Sequence, residues 1–351
     1  MKLSSVKHYR CPVHLGPLAL IDEQMDQSGE VSSGMLIGPQ GDRYPILEGV
    51  PQLLRADTLR PVEAATMAEY DRVADDIYDR ALDWQFAAFF EDEETVRGTM
   101  VDLVRLRPGM RVLEVGCGTG RDSYRLARLL GADGELHMQD LSPGMVRVCV
   151  DRMGAYAREF SIDCALEYSV SNGTALPYPD DYFDAVFHFG GFNHFGDLTA
   201  AAAELTRVAK PGGRILYGDE AVAPWLKGSE FDAIVCTNNA LFKADIPLSS
   251  LPACARDASA HWLIANCFYV IAFTKGDGPP PLNLDLPHAG IRGGSMRTRY
   301  FGVLEGVTPE TKALVRKAAE AAGTSMHEWL DRTIADAAGR ILGPADDERK
   351  P

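Results

Sequence analysis

The stretch Arg111-Val-Leu-Glu-Val-Gly-Cys-Gly-Thr-Gly120 constrains the fold more than any other part of this 351-residue chain. A short apolar run with one acid inside it, Glu114, leads into three glycines at alternate positions. Such a run suits a strand covered on both faces, as in a parallel sheet. Glycines placed directly after it permit backbone conformations that a side chain would crowd, so N–H groups at the turn come close to a ligand. The turn therefore predicts a first parallel strand with a nucleotide-type site at its carboxyl end.

Downstream, strand and helix patterns alternate. A helix is expected from about Arg121 to Leu130, ended by Gly131, and a second strand over Glu135–Asp140. Ser142 and Pro143 then supply an N-cap and a first helical residue. Asp140 thus closes the second strand about twenty residues beyond the glycines, where a carboxylate accepts both hydroxyls of a ribose. Tyr182–Phe189 reads as a buried strand and 198–209 as a helix. Lys210-Pro-Gly-Gly213 is a turn into a strand at Arg214–Tyr217, and Asn266–Phe273 is a late strand. The fold class expected is α/β: a Rossmann-like, mainly parallel sheet with helices on both faces, its ligand crevice beyond the carboxyl ends of the strands.

Charge narrows the partners. Asp+Glu 50 against Lys+Arg 35 leaves a formal charge of −15, which disfavours nucleic acid and acidic membrane. No apolar run is long enough to span a bilayer, and no apolar signal core follows Met1. Seven scattered cysteines, an odd number, suit a reducing, cytoplasmic setting better than a disulfide framework.

The flanks divide as follows. Residues 1–60 form a small Gly/Pro-punctuated β unit, in which Cys11-Pro-Val-His14 has the spacing of half a zinc knuckle. A closed zinc site wants four ligands; His8 offers a third and no second pair follows, so no metal ligands are assigned. Residues 61–107 read as a helical cover, with Tyr70, Val73, Ala74, Ile77 and Tyr78 on one face and an aromatic cluster of Trp84, Phe86, Phe89 and Phe90. The 108–275 region carries the sheet, with an acceptor-side insertion around 221–262 whose Trp225, Asn238, Asn239 and Phe242 are candidates to line an acceptor pocket. A proline/glycine linker spans 276–295. The tail, 296–342, is expected as a strand over Met296–Leu304 followed by two helices, the first capped by Thr308-Pro309 and the second by the box Ser325-Met-His-Glu328.

Four motifs in order resemble the class I S-adenosylmethionine-dependent methyltransferases, in the small-molecule branch related to ubiquinone/menaquinone biosynthesis. They are Val112-Leu-Glu-Val-Gly-Cys-Gly-Thr-Gly120, Asp140-Leu-Ser-Pro-Gly-Met145, Asn172-Gly-Thr-Ala-Leu-Pro-Tyr-Pro-Asp-Asp-Tyr-Phe-Asp184 and Leu205-Thr-Arg-Val-Ala-Lys-Pro-Gly-Gly213. The resemblance implies S-adenosyl-L-methionine as cofactor. It implies that Glu114 and the Gly116-Cys117-Gly118 and Gly120 backbone hold the amino acid part, that Asp140 takes the ribose, and that Leu141 lies beside the adenine. Asn172-Gly173 stands where the family usually has Asp before Ala, and its amide meets the adenine edge. Phe189 approaches the methionine part.

Such a cofactor carries an electrophilic methyl, so the protein mainly aligns an acceptor and excludes water. A base is needed only for a protonated nucleophile; His188, His194, Asp197 and Glu220 lie near strand ends, and His194 is the preferred catalytic candidate. The N-terminal Tyr9–Leu18 and Arg43–Leu54 segments resemble the Trm112-like ribbon, lacking its second Cys pair. The tail resembles ribbon–helix–helix proteins, which implies pairing of chains into a homodimer, with Arg297 and Arg299 at the positions that read DNA in that family. The expected function is methyl transfer from S-adenosylmethionine to a nucleophilic atom of a small organic acceptor. The competing readings are an RNA methyltransferase and a cofactor-responsive DNA-binding regulator.

Overall fold

The computed structural model describes residues 1–54, 57, 59–291, 293–300 and 307–342. The chain divides into two compact units, Met1–Pro280 and Pro281–Pro351. In the first, strands β1 (Ala19–Met25), β2 (Val31–Ile37), β3 (Arg43–Leu47) and β4 (Val50–Leu53) come first, then helices α1 (Pro61–Val73), α2 (Ile77–Ala88) and α3 (Glu93–Val104). The alternating series follows: β5 (Arg111–Val115), α4 (Ser123–Ala127), β6 (Glu135–Asp140), α5 (Pro143–Glu159), β7 (Ala165–Ser171), β8 (Phe183–Phe189), α6 (Leu198–Val208) and β9 (Ala209–Glu220). Helix α7 (Glu230–Asn238) and strands β10 (Ala255–Leu263) and β11 (Phe268–Lys275) complete the unit. The second unit contains α8 (Met296–Tyr300), α9 (Pro309–Ala321) and α10 (Met326–Leu342).

Among the described residues the strands form one eleven-stranded sheet in the order β1-β2-β3-β4-β7-β6-β5-β8-β9-β11-β10. Its centre, from β4 to β9, is parallel, and the flanks are antiparallel. The N-terminal strands are joined to this sheet through β4, which runs parallel to β7 with Gln52 opposite Val170 and Leu53 opposite Ser171. The strand order reverses at β5, with β6 on one side and β8 on the other, and such a switch point opens a crevice at the carboxyl ends.

Side chains alternate across the sheet. Leu113, Val115 and Val186 enter one buried cluster, together with Ala201, Ala202 and Leu205 of α6. Val112, Ala185 and Phe187 enter the other, against Met100, Val101 and Val104 of α3 and Val146, Cys149 and Met153 of α5. Fully burying one such aliphatic side chain contributes roughly 1.5–3 kcal/mol, so the run at β5 is held from both faces. Caps set the helix starts: Ser142 Oγ accepts the Met145 N–H at 3.1 Å and Asp197 Oδ1 accepts the Ala200 N–H at 2.9 Å.

Three expectations differ from the structure. The strand expected over Met296–Leu304 is helical where it is described, at Met296–Tyr300; Ser295 Oγ accepts the Thr298 N–H at 3.3 Å and starts a turn there, and Arg297 is held by Asp285 at 2.7 Å. Residues 301–304 of that expectation lie outside the described residues. The acceptor-side insertion around 221–262 is helix α7 followed by β10, which pairs antiparallel with β11 and extends the sheet. The helix after the glycine turn is only Ser123–Ala127, shorter than its pattern suggested.

Candidate active site

The glycine turn takes the conformation its composition requires. Gly116, Gly118 and Gly120 have φ of +69°, +52° and +85°, a region that disfavours side chains. A Cβ at Gly116 would stand 3.2 Å from the His188 ring, and one at Gly120 would stand 3.2 Å from Cys149 Sγ. Glu114 lies beneath the turn, 2% exposed, and its Oε2 accepts the Ser123 hydroxyl at 2.5 Å. Burial, reinforced by Asp122 and Cys149, holds its carboxyl well above the usual range. Glu114 therefore ties the turn to α4 from inside, and it is not among the described residues lining the cavity above.

Asp140 occupies the end of β6 at the cavity wall. Its Oδ2 accepts the Gly118 N–H and its Oδ1 the Ser142 N–H, each at 2.9 Å. Each oxygen keeps a further lone pair, so the carboxylate is oriented by the backbone yet free to accept two hydroxyls. Burial pushes this carboxyl up to about 6 against the three backbone N–H groups, of Ser142, Gly118 and Leu141, that favour its charged form.

Leu141, Met145, Asn172 and Gly173 continue the same wall. The Asn172 Oδ1 accepts both the N–H and the hydroxyl of Thr174 at 3.0 Å. Its amide nitrogen is therefore the group left to meet a ligand, as a donor. At Gly173 a Cβ would lie 2.8 Å from the Phe195 ring, so this position is closed to any side chain.

Past the turn a second cavity adjoins the first, sharing Tyr70, Tyr78, Gly116, Gly118, Gly190 and Gly191 with it. Phe189, Cys117, Phe86, Ile264 and Phe268 give it apolar walls, and Arg97, Asp122 and Glu220 give it charge. Arg97 is buried and paired with Glu93 at 2.6 Å and with Asp122. Asp219 and Glu220 end β9, where Asp219 accepts the Asn193 N–H at 2.5 Å. Burial and the neighbouring Asp219 push the Glu220 carboxyl well up.

The two histidines differ. His188 is 1% exposed and bonds the Val115 carbonyl through Nδ1 at 2.6 Å. A carbonyl only accepts, so Nδ1 carries the proton and Nε2 is a bare lone pair; that Nε2 is buried and without a partner. Burial lowers its pKa, so the ring is neutral. His194 lines the same cavity, edge-on to Tyr70 with ring centres 6.0 Å apart.

Helices α1 and α2 cover these cavities and are tied down by carboxylates. Asp71 accepts the Gly144 N–H at 2.9 Å and the Ser142 hydroxyl. Asp79 accepts the Thr119 hydroxyl at 2.8 Å and pairs with Arg152. Tyr70 and Tyr78, stacked edge-on at 5.9 Å, close the roof.

Of the residues expected from the sequence, Gly116, Gly118, Asp140, Leu141, Asn172, Gly173 and His194 meet around the first cavity, and Cys117 and Phe189 line the second. Glu114 and Gly120 sit below the turn. Trp225 is 63% exposed against Trp262, and Phe242 is buried on Phe89 and Phe268, so neither lines these cavities; Asn239 instead caps the turn at Ala240–Lys243. The sequence reading missed Ser142, Gln139 and Met145 as wall residues and Arg97 as a buried cation. Ser142 and Met145 carried a legible signal, standing inside the Asp140–Met145 motif.

Residues 112–213 match the family model described as a methyltransferase domain. The ubiquinone/menaquinone biosynthesis C-methyltransferase UbiE of Shewanella halifaxensis is 34% identical over 110 residues, 31% of this chain and 42% of the relative. The enzyme of the same name from Bordetella avium is 31% identical over 176 residues, 50% of this chain and 62% of the relative. A solved SAM-dependent methyltransferase from Aquifex aeolicus is 21% identical, covering 52% of this chain and 94% of its own, with a TM-score of 0.37. With the sheet order and the turn, the family match makes residues 112–213 a class I S-adenosylmethionine-dependent methyltransferase domain, whose cofactor is S-adenosyl-L-methionine. The chain spans about half the length of the curated relatives it matches.

Proposed function

We propose that this protein transfers a methyl group from S-adenosylmethionine to a nucleophilic atom of a small organic acceptor, with release of S-adenosylhomocysteine. The observation that carries this reading is Asp140, fixed by two backbone N–H groups beside the glycine turn with a lone pair left on each oxygen. The cavity fits the cofactor in one further way: the buried Nε2 of His188 lacks a partner in the protein.

When bound, the cofactor supplies a methyl carbon already made electrophilic by its sulfonium. The residues do the rest. Asp140 accepts the ribose hydroxyls, Leu141 packs beside the adenine, and Asn172 donates its amide to the adenine edge. Gly116, Cys117 and Gly118 offer backbone to the amino acid part, with Phe189 beside it, while Glu114 and Gly120 hold the turn. Tyr70 and Tyr78 exclude water. A protonated acceptor gives up its proton to a base, for which His194 at the first cavity and Glu220 at the second are the candidates.

All seven cysteines are unpaired, and no described helix is long and apolar enough to cross a membrane. We assign the protein to the cytoplasm on the first of these. A homodimer formed through residues 296–342 is part of the proposal, supported by exposed Leu314 and Ile334 on α9 and α10; a solution mass measurement tests it. The function is tested by incubating the protein with methyl-labelled cofactor and fractionated small metabolites, beside tRNA and rRNA. Label in a metabolite fraction, matched by S-adenosylhomocysteine, is expected. Label in RNA alone overturns the reading.

A further inference from the structure

At the amino ends of the same strands lies a group that the methyl-transfer reading does not use. Glu135 and His137, two residues apart on β6, present their side chains to one face. His8, at the end of a 3-10 turn over Leu3–His8, reaches the same place from the N-terminal segment. One ring nitrogen of each histidine and one carboxylate oxygen lie within 4.8 Å of one another. We propose that His8, Glu135 and His137 bind a divalent transition-metal ion, with zinc the best match, and that the ion fastens the N-terminal segment to β6.

Four observations support the site. The ligand set, two imidazoles and a carboxylate, is one that zinc takes. Tetrahedral zinc with bonds of about 2.0–2.1 Å sets its ligand atoms about 3.3 Å apart, so the group needs only a small contraction. His137 is fully buried, and its Nε2 stands 3.3 Å from Glu135 Oε2, the separation that two ligands of one tetrahedral zinc would have. His8 is bonded through Nδ1 to the Tyr182 hydroxyl, the kind of outer contact that orients a ligating imidazole.

Glu135 is 27% exposed, which leaves the fourth coordination position to water. Arg111 opposes metal binding: its Nε donates to Glu135 Oε2 at 2.5 Å and its Nη2 to Oε1 at 3.0 Å, so a cation already engages both carboxylate oxygens. The site should therefore bind more weakly than a cysteine-built one.

Its place makes the role structural. Glu135 and Asp140 are the two ends of β6, and five steps along the strand separate them by about 17 Å. It is also separate from Cys11 and His14. The Cys11 thiol lies 3.3 Å from the Tyr44 hydroxyl and 3.6 Å from Asp42, and His14 pairs with that same Asp42 at 3.3 Å.

The test uses the full, untagged chain, stripped with a chelator and then titrated with zinc chloride or cobalt chloride. One ion per chain is expected by calorimetry and elemental analysis. The cobalt form should show ligand-field bands without a thiolate charge-transfer band, and zinc should raise the melting temperature. His8→Gln and Glu135→Gln should each weaken binding at least tenfold, Cys11→Ser should leave it unchanged, and Arg111→Gln should tighten it. His8 lies outside the sheet, so its variant remains informative if a His137 variant fails to fold. Absence of saturable binding, loss of the ion in Cys11→Ser, or binding unaltered by both His8→Gln and Glu135→Gln overturns the proposal.

Discussion

Asp140→Asn is the substitution that most directly tests the cofactor site. It preserves shape but leaves one neutral acceptor where two charged oxygens stood. A hydrogen bond to an ionised group contributes about 1.5–3 kcal/mol, and the carboxylate is placed to accept two. With one weaker acceptor retained, the expected loss is about 2–4 kcal/mol, or about 30- to 700-fold in cofactor affinity. Stability should move little. Raising the carboxyl from 3.8 to about 6 corresponds to about 3 kcal/mol against the charged form in the fold. The variant relieves that cost. It also turns its NH2 toward either the Gly118 or the Ser142 N–H, which costs about 1–3 kcal/mol.

The pH dependence follows from the same group. Because its pKa is raised in the fold, the native state binds this proton more tightly than the unfolded chain does. Its contribution to stability thus declines as pH rises from the unfolded value to about 6. The bound ribose favours the ionised form, so cofactor affinity should be flat above about pH 6 and fall about tenfold per pH unit below it. Calorimetric titration between about pH 5 and 8 measures the affinity, and urea unfolding between about pH 4 and 7 measures the stability. An asparagine variant that binds within threefold of the wild type, or that keeps the acid limb, would refute the assignment.

Gly173→Ala places a Cβ 2.8 Å from Phe195 and 3.2 Å from Val115, and such overpacking should cost about 1–3 kcal/mol in urea unfolding. Asp79→Ala removes the partner of Arg152 and Thr119. Amide exchange over α2 and cofactor dissociation should both quicken, and added salt should do the same to the wild type; unchanged exchange would count against α2 as a cover. Glu220→Gln should abolish any rise of kcat with pH above the ordinary carboxylate range while leaving cofactor affinity intact, and a retained limb would remove Glu220 from proton transfer. His194→Ala should lower kcat and spare cofactor affinity, with an unaltered kcat as the refuting result.

The parts of the site that the sequence made legible are backbone-driven. Three glycines after a buried strand, and an acid ending the next strand ahead of Ser142-Pro143, depend on local chain geometry, and the structure places them together. What was illegible depends on contacts across the fold. An acid inside an apolar run reads the same whether it faces a ligand or a serine hydroxyl nine residues on, and Glu114 faces Ser123. Alternation along a strand puts neighbours such as His188 and Phe189 on opposite faces but does not indicate that the Val115 carbonyl fixes the tautomer of His188. Met296–Leu304 has the composition of a strand, yet Ser295 and Asp285 turn its described part into a helix. Arg97 looked like any helical arginine until Asp122 and Glu93 surrounded it.

The parallel seam between β4 and β7 has a consequence for anyone shortening the chain. Without it, β7 would be an outermost strand, its N–H and C=O groups facing solvent as a template for other chains. Gln52 and Leu53 occupy part of that border, while Tyr9 and Ser5 bond to Tyr168 and Glu167 on the same strand. The first fifty-odd residues thus act as a selvedge, the finished margin that keeps a woven cloth from unravelling. A version trimmed to the methyltransferase domain should self-associate even with its cofactor loop intact.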